Sequence, residues 1–163
     1  MRVAIIALII FGCVGCDQVT KSVARTCLPH DQTVSLLADT VRLQYTENAG
    51  AFLSVGHALP RAARSALFTW GGALLVAGAL LWTLRARHSM VQTIAGALIC
   101  GGGLGNLIDR WSRAGDVTDF LNVGIGTVRT GIFNVADMVM MLGAALLIVA
   151  STIAAARPVS RGE

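Results

Sequence analysis

Ser65-Ala-Leu-Phe-Thr-Trp-Gly-Gly-Ala-Leu-Leu-Val-Ala-Gly-Ala-Leu-Leu-Trp-Thr-Leu84 is followed, after Arg85-Ala86-Arg87-His88, by Ser89-Met-Val-Gln-Thr-Ile-Ala-Gly-Ala-Leu-Ile-Cys-Gly-Gly-Gly-Leu-Gly-Asn-Leu-Ile108. Each run carries no charged residue, and a helix needs ~20 mostly apolar residues to cross ~30 Å of hydrocarbon. Two such runs joined by a short basic turn read as an antiparallel pair of membrane-spanning helices. A third uncharged run, Met138 to Ala156, ends at Arg157 and is expected to begin near Gly131, so that it takes in Asp137.

The remaining apolar segment, Val3 to Cys16, is shorter and stops at Asp17. Its length suits a removable signal core, and Gly12-Cys13-Val14-Gly15-Cys16-Asp17 resembles a lipoprotein cleavage site. A retained helix over 3–23 is the preferred reading. Asp17 and Lys21 are four residues apart, acid first, and share a helix face on which they can pair. A paired charge facing the bundle costs less than a lone one.

The fold read from these patterns is an all-α membrane protein. It is one integral membrane domain over 1–163, with spans 3–23, 65–84, 89–108 and 131–156 and longer loops 24–64 and 109–130. In the first loop Val41, Leu43 and Tyr45 alternate with Arg42, Gln44 and Thr46, which is a strand pattern. Val34 to Leu37 is its expected partner through a turn at Ala38-Asp39-Thr40, forming a small sheet at the membrane surface.

Composition agrees. Of 163 residues, 55% are hydrophobic and only 13% charged, about half the ~25% of a soluble domain. The net charge of +4 therefore reports orientation rather than a nucleic-acid partner. Arg2, Arg85, Arg87, Arg157 and Arg161 crowd the short segments of one side, whereas the other side's basic residues are spread over long loops. Both termini are read as cytoplasmic.

Of the nine acids, only Glu163 then lies inside. Asp31, Asp39 and Glu47 read as solvated, and Asp109 beside Arg110 as the end of a helix at the interface. Asp119, in Val117-Thr118-Asp119-Phe120-Leu121, and Asp137, in Phe133-Asn134-Val135-Ala136-Asp137, have apolar neighbours, and an ionisable residue there is a functional candidate. For Asp137 helix capping is an equal alternative, with Asn134 as the N-cap. Capping does not explain Asp119. Two carboxylates brought together in a low-dielectric site share one proton and act as base and acid at once. That suits water attack on a peptide bond.

His30, His57 and His88 show no metal-ligand spacing, no Gly-x-Ser-x-Gly elbow is present, and no phosphate-binding loop ends in Lys-Ser or Lys-Thr. Cys13 and Cys16 read as small buried apolar residues of a helix, Cys27 has no obvious partner, and Cys100 lies within the third span. Gly101, Gly102, Gly103 and Gly105 read as close helix packing, which turns Asn106 and Arg110 towards one rim. Two other functions fit composition: an ion-coupled transporter using Asp17, Lys21 and Asp137, and a lipoprotein processed at Cys13 or Cys16.

In order, Asp17-Gln18-Val19-Thr20-Lys21, Asn48-Ala49-Gly50-Ala51-Phe52, Gly101 to Arg110, Val117-Thr118-Asp119-Phe120 and Phe133-Asn134-Val135-Ala136-Asp137 closely resemble the motifs of the lipoprotein signal peptidase (signal peptidase II) family. One departure is Gly50-Ala51-Phe52-Leu53, where the family commonly has Gly-Ala-Ala-Phe. The resemblance implies four membrane helices with a small periplasmic β-cradle. It implies an intramembrane aspartic endopeptidase of the bacterial inner membrane, cutting diacylglyceryl-modified prolipoproteins just before the lipidated cysteine. Asp119 and Asp137 would be the catalytic dyad near the periplasmic face. Asp17, Lys21, Asn48, Gly50, Asn106, Arg110, Asn134 and Ala136 would line or support the pocket. Arg110 and Asn48 are the candidates for contacting substrate main chain or lipid head group. Membrane lipids are expected neighbours, and globomycin-type cyclic peptides expected inhibitors. A monomer with no cofactor, metal or nucleic-acid partner is expected.

Overall fold

The computed structural model describes residues 1–50, 59–85 and 87–156. Ala51 to Leu53, where the motif departure falls, and His57 lie outside the described residues. Four long apolar rods account for the spans: α1 (Arg2–Cys27), a rod from α2 (Arg61–Arg64) through a π-helical stretch (Ser65–Gly71) into α3 (Gly72–Thr83), α4 (Met90–Ser112) and α5 (Val135–Ala156). The chain is a membrane protein built mostly of helix.

α1 runs to Cys27, a turn beyond the expected 23, and the second rod starts at Arg61 rather than Ser65; two further boundary differences bear on the site. α4 runs a turn beyond Ile108, to Ser112, so Asp109 does not end the helix but is buried within its last turn beside Arg110. α5 begins at Val135, not near Gly131, because Phe133 is extended and bridges Leu121. The turn of α5 is fixed by Asn134, whose Oδ1 accepts the Asp137 N–H at 3.0 Å, while Asp137 Oδ2 accepts the Asn134 N–H at 3.2 Å. This reciprocal pair satisfies donors that every helix start leaves open.

α4 is the hub. It packs against α1, α3 and α5 and is far more buried than the other three rods. Successive residues on a helix point about 100° apart, so Gly101, Gly102 and Gly103 face three directions. An added Cβ at Gly101 would strike Cys13 of α1, at Gly102 Met140 of α5, and at Gly103 Val76 of α3. Without a hydrophobic drive between helices in lipid, such close contact is what dispersion forces need.

α1 and α4 run parallel with matched spacing. Gly101 abuts Cys13, Gly105 abuts Asp17, and Asp109 meets Lys21. Cys13 is thus half-buried in the seam. Cys16 is exposed on α1, contrary to expectation; three residues on from Cys13, it is turned about 60° away from it.

At one end of the bundle sits a four-stranded antiparallel sheet, β1 (Val34–Leu36), β2 (Val41–Asn48), β3 (Val117–Ile125) and β4 (Val128–Arg129), in sequential order. The β1–β2 hairpin follows the expected alternation. β3 was not expected as a strand. Its first four residues, Val117 to Phe120, are all buried, and a strand buried on both faces loses the period-two pattern.

Candidate active site

Asp119 and Asp137 come from different elements and line one small cavity of about 20 Å³, together with Asn48, Asn106, Arg110 and Asn134. That is room for roughly one water molecule. Asp119 is on β3, whose pairing sets Thr46 opposite it. Asp137 is in the first turn of α5.

Each carboxylate oxygen meets a donor. Asp119 Oδ1 accepts Asn134 Nδ2 at 2.6 Å and Oδ2 accepts Asn48 Nδ2 at 2.8 Å. Asp137 Oδ1 accepts Asn106 Nδ2 at 2.9 Å, and its Oδ2 is held by the Asn134 N–H. Asn48 is itself oriented because its Oδ1 takes the Gly50 N–H at 2.9 Å. Arg110 donates to the Gly50 carbonyl at 3.2 Å, and its buried Nε has no partner among the described residues. Burial pushes the Asp119 carboxyl up to about 6. The nearby Asp137 charge adds to this, while the Asn48 and Asn134 N–H groups and the Lys21 charge oppose it. A carboxyl with that pKa exchanges a proton readily near neutrality.

Behind the cavity lies a buried ion cluster. Lys21 Nζ is 2.8 Å from Asp17 Oδ2 and 3.4 Å from Asp109 Oδ2. The three side chains are 0%, 0% and 1% exposed. Asp17 Oδ1 accepts the Ala136 N–H at 2.9 Å, and Asp109 Oδ2 accepts the Thr118 N–H at 2.9 Å. Ala136 must be small, since its Cβ lies against Gly105, where an added Cβ would approach it at 3.4 Å. Asp109 is the residue that sequence reasoning missed. The signal was present in the spacing: Cys13, Asp17 and Lys21 repeat every four residues on α1, as do Gly101, Gly105 and Asp109 on α4.

From the cavity an apolar groove of about 330 Å³ runs along the bundle. Phe68, Leu75, Val76, Leu107 and Met140 form its walls, and Asn106, Arg110 and Asp137 its polar end. An extended apolar ligand that carries one polar linkage fits such a shape. All ten residues singled out in the sequence lie at this site or in the ion cluster directly behind it.

Comparison with known proteins gives a consistent answer. Residues 9–153 match the family model for signal peptidase (SPase) II. A lipoprotein signal peptidase of Mycobacterium tuberculosis is 37% identical over 143 residues, covering 83% of this chain. The match spans 64% of that relative, so the chain accounts for just under two thirds of the mycobacterial protein. A lipoprotein signal peptidase of Halothermothrix orenii is 35% identical over 132 residues, covering 81% of this chain and 84% of the relative. Two solved bacterial membrane enzymes share the fold. One has a TM-score of 0.84 at 23% identity, covering 98% of this chain and 94% of the other. The second has a TM-score of 0.79 at 25% identity, covering 91% and 92%.

Proposed function

Because the chain belongs to the signal peptidase II family, we propose that it is an intramembrane aspartic endopeptidase that removes signal peptides from diacylglyceryl-modified prolipoproteins, cutting before the lipidated cysteine. The carrying observation is that Asp119 and Asp137 share one water-sized cavity at the polar end of an apolar groove. Lipid and signal-peptide side chains occupy the groove, and the scissile peptide reaches the two aspartates.

The dyad holds one proton. The ionised carboxylate takes a proton from water as the water oxygen attacks the scissile carbonyl carbon. The protonated carboxyl hydrogen-bonds the developing oxyanion, and the C–N bond breaks as the leaving nitrogen gains a proton. Charge alternates between two carboxylates that already face fixed N–H donors, so little reorganisation is needed. A signal peptide in lipid is helical, with its backbone bonds satisfied internally. It must unwind locally, and Arg110 and Asn48, which line the cavity, would take up the freed carbonyl groups.

The sheet-bearing end is periplasmic, and both termini are cytoplasmic. Globomycin-type cyclic peptides compete for the groove. An ion pathway is less well supported, since Met90 to Ile108 and Met138 to Ala156 contain no charged residue. Processing at Cys13 or Cys16 would strip α1 from its seam on α4. The test is cleavage of a lipidated precursor by Asp119→Asn and Asp137→Asn. Each is expected to lose about 10²–10⁴-fold in kcat or more while remaining folded, and full activity in either overturns the reading.

A further inference from the structure

Lys21 Nζ lies 2.8 Å from Asp17 Oδ2, 3.4 Å from Asp109 Oδ2 and 2.8 Å from Asn106 Oδ1. An ammonium has three protons to donate and no lone pair. All three contacts are with acceptors, and nothing at Lys21 can accept. The amide of Asn106 must therefore present its oxygen to Lys21. The same oxygen takes Asn134 Nδ2 at 3.2 Å. Only the Asn106 nitrogen is left for Asp137. Asn134 is fixed in the same sense, because its Oδ1 receives the Asp137 N–H and its nitrogen turns to Asp119.

We propose that Lys21 is the positioning residue that sets the hydrogen-bond polarity of the Asn106 amide facing Asp137, and that Asp17 and Asp109 hold it there while each tethers the peptide N–H just before one aspartate. Flipping Asn106 would set its amide nitrogen against the ammonium and its oxygen against the Asp137 carboxylate. Both contacts are repulsive in a dry site, where no water replaces them. The tethers are symmetrical in effect. Asp17 holds the N–H of Ala136, which precedes Asp137, and Asp109 holds that of Thr118, which precedes Asp119. Lys21 thus connects to both halves of the site, through Asp17 to Ala136 and through Asp109 to Thr118.

The inference rests on the dyad reading, and its test separates the two. Lys21→Met is assayed on a lipidated precursor across pH, beside Lys21→Arg. The charged groups that act on Asp119 are Lys21 on α1, Arg110 on α4 and Asp137 on α5. From β2 the neutral Asn48 donates to it. Since the Lys21 charge holds the Asp119 pKa down, its removal moves the alkaline limb of kcat/KM to higher pH. It also lowers kcat about 10²-fold, the usual effect of losing one preorganised donor. Lys21→Arg keeps the limb in place. A folded Lys21→Met enzyme whose limb does not move, or whose kcat is unchanged, overturns the inference.

Lys21→Met leaves two buried carboxylates short of a cation, so a charge-balanced variant, Asp17→Asn/Lys21→Met, is carried in parallel. Asp109 then keeps Arg25, Gln18 and the Thr118 N–H. It is combined with Asn106→Ala in a double-mutant cycle. If Lys21 acts through Asn106, adding Lys21→Met to Asp17→Asn/Asn106→Ala costs no further kcat. Additive losses overturn the Lys21 inference and leave the dyad reading intact, whereas full activity of Asp119→Asn breaks the dyad reading itself.

Discussion

Two ion clusters in this chain are built on opposite plans. At the far end of the sheet one anion holds two cations. Asp39 accepts Arg42 at 2.6 and 2.7 Å and lies 3.5 Å from Arg129, with its side chain 43% exposed. Inside the bundle one cation, Lys21, holds two fully buried anions. The exposed cluster exchanges hydration for contact and gains little. It stitches a turn in which Leu37, Ala38 and Asp39 have φ of 51°, 52° and 68°, a left-handed run unfavourable for side chains. The buried cluster has no water to fall back on, so losing one member strands the others. Position relative to solvent, more than the number of charges, decides what each can do.

Removing Asp109 tests this contrast most severely. Asp109→Asn leaves Lys21 with one anion and weakens the hold on β3, and a loss of about 3–5 kcal/mol in stability is expected, read by thermal unfolding in nanodiscs. A change near zero would place the two clusters on the same footing. Gly105→Ala comes next. Its methyl would lie 2.6 Å from Asp17 Oδ2, and overpacking of this kind costs about 1–3 kcal/mol. Cleavage should fall with it, since Asp17 tethers the start of α5, and an unaffected enzyme would show the seam to be loose.

The pH profile sharpens the comparison further. In the proposed one-proton dyad, Asp119, with its carboxyl pushed up to about 6 by burial, would be the member that carries the proton. That proton leaves as pH rises through about 6, so kcat/KM of the free enzyme should fall tenfold per unit above it. Asp39 behaves in the opposite sense. Hydrogen bonds from Arg42, then Ser35, hold its carboxyl well below the ordinary carboxylate range. Any stability it adds is present above the ordinary carboxylate pKa and is lost only in strong acid. The smallest effect is expected for Arg42→Ala, which should leave cleavage and the unfolding temperature unchanged within error. A marked loss of cleavage there would show that the sheet's far end is coupled to the dyad.

Much of this was legible in the residues. The spans follow from uncharged length, the β1–β2 hairpin from alternation, and the Asp17–Lys21 pair from four-residue spacing. Asp119 and Asp137 stood out as acids in apolar surroundings. The capping reading of Asp137 holds, and it is compatible with the proposed function, because one carboxyl oxygen closes the cap with Asn134 while the other accepts Asn106 Nδ2. Asp109 was misread since a charge beside Arg110 after a long apolar run looks like a helix end. What buries it is a neighbouring helix. β3 was hidden for a related reason: burial on both faces erases the alternation that marks a strand.

The sequence by itself determined which segments enter the membrane, because hydrocarbon imposes a local requirement of length and apolarity that each helix meets alone. Only the tertiary structure decided which polar groups meet. Asn48 reaches Asp119 across 71 residues, Asp17 reaches Ala136 across 119, and Lys21 reaches Asn106 across 85. A hydrogen bond acts over about 3 Å, so such pairings exist only once the glycines of α4 have let three helices close around it.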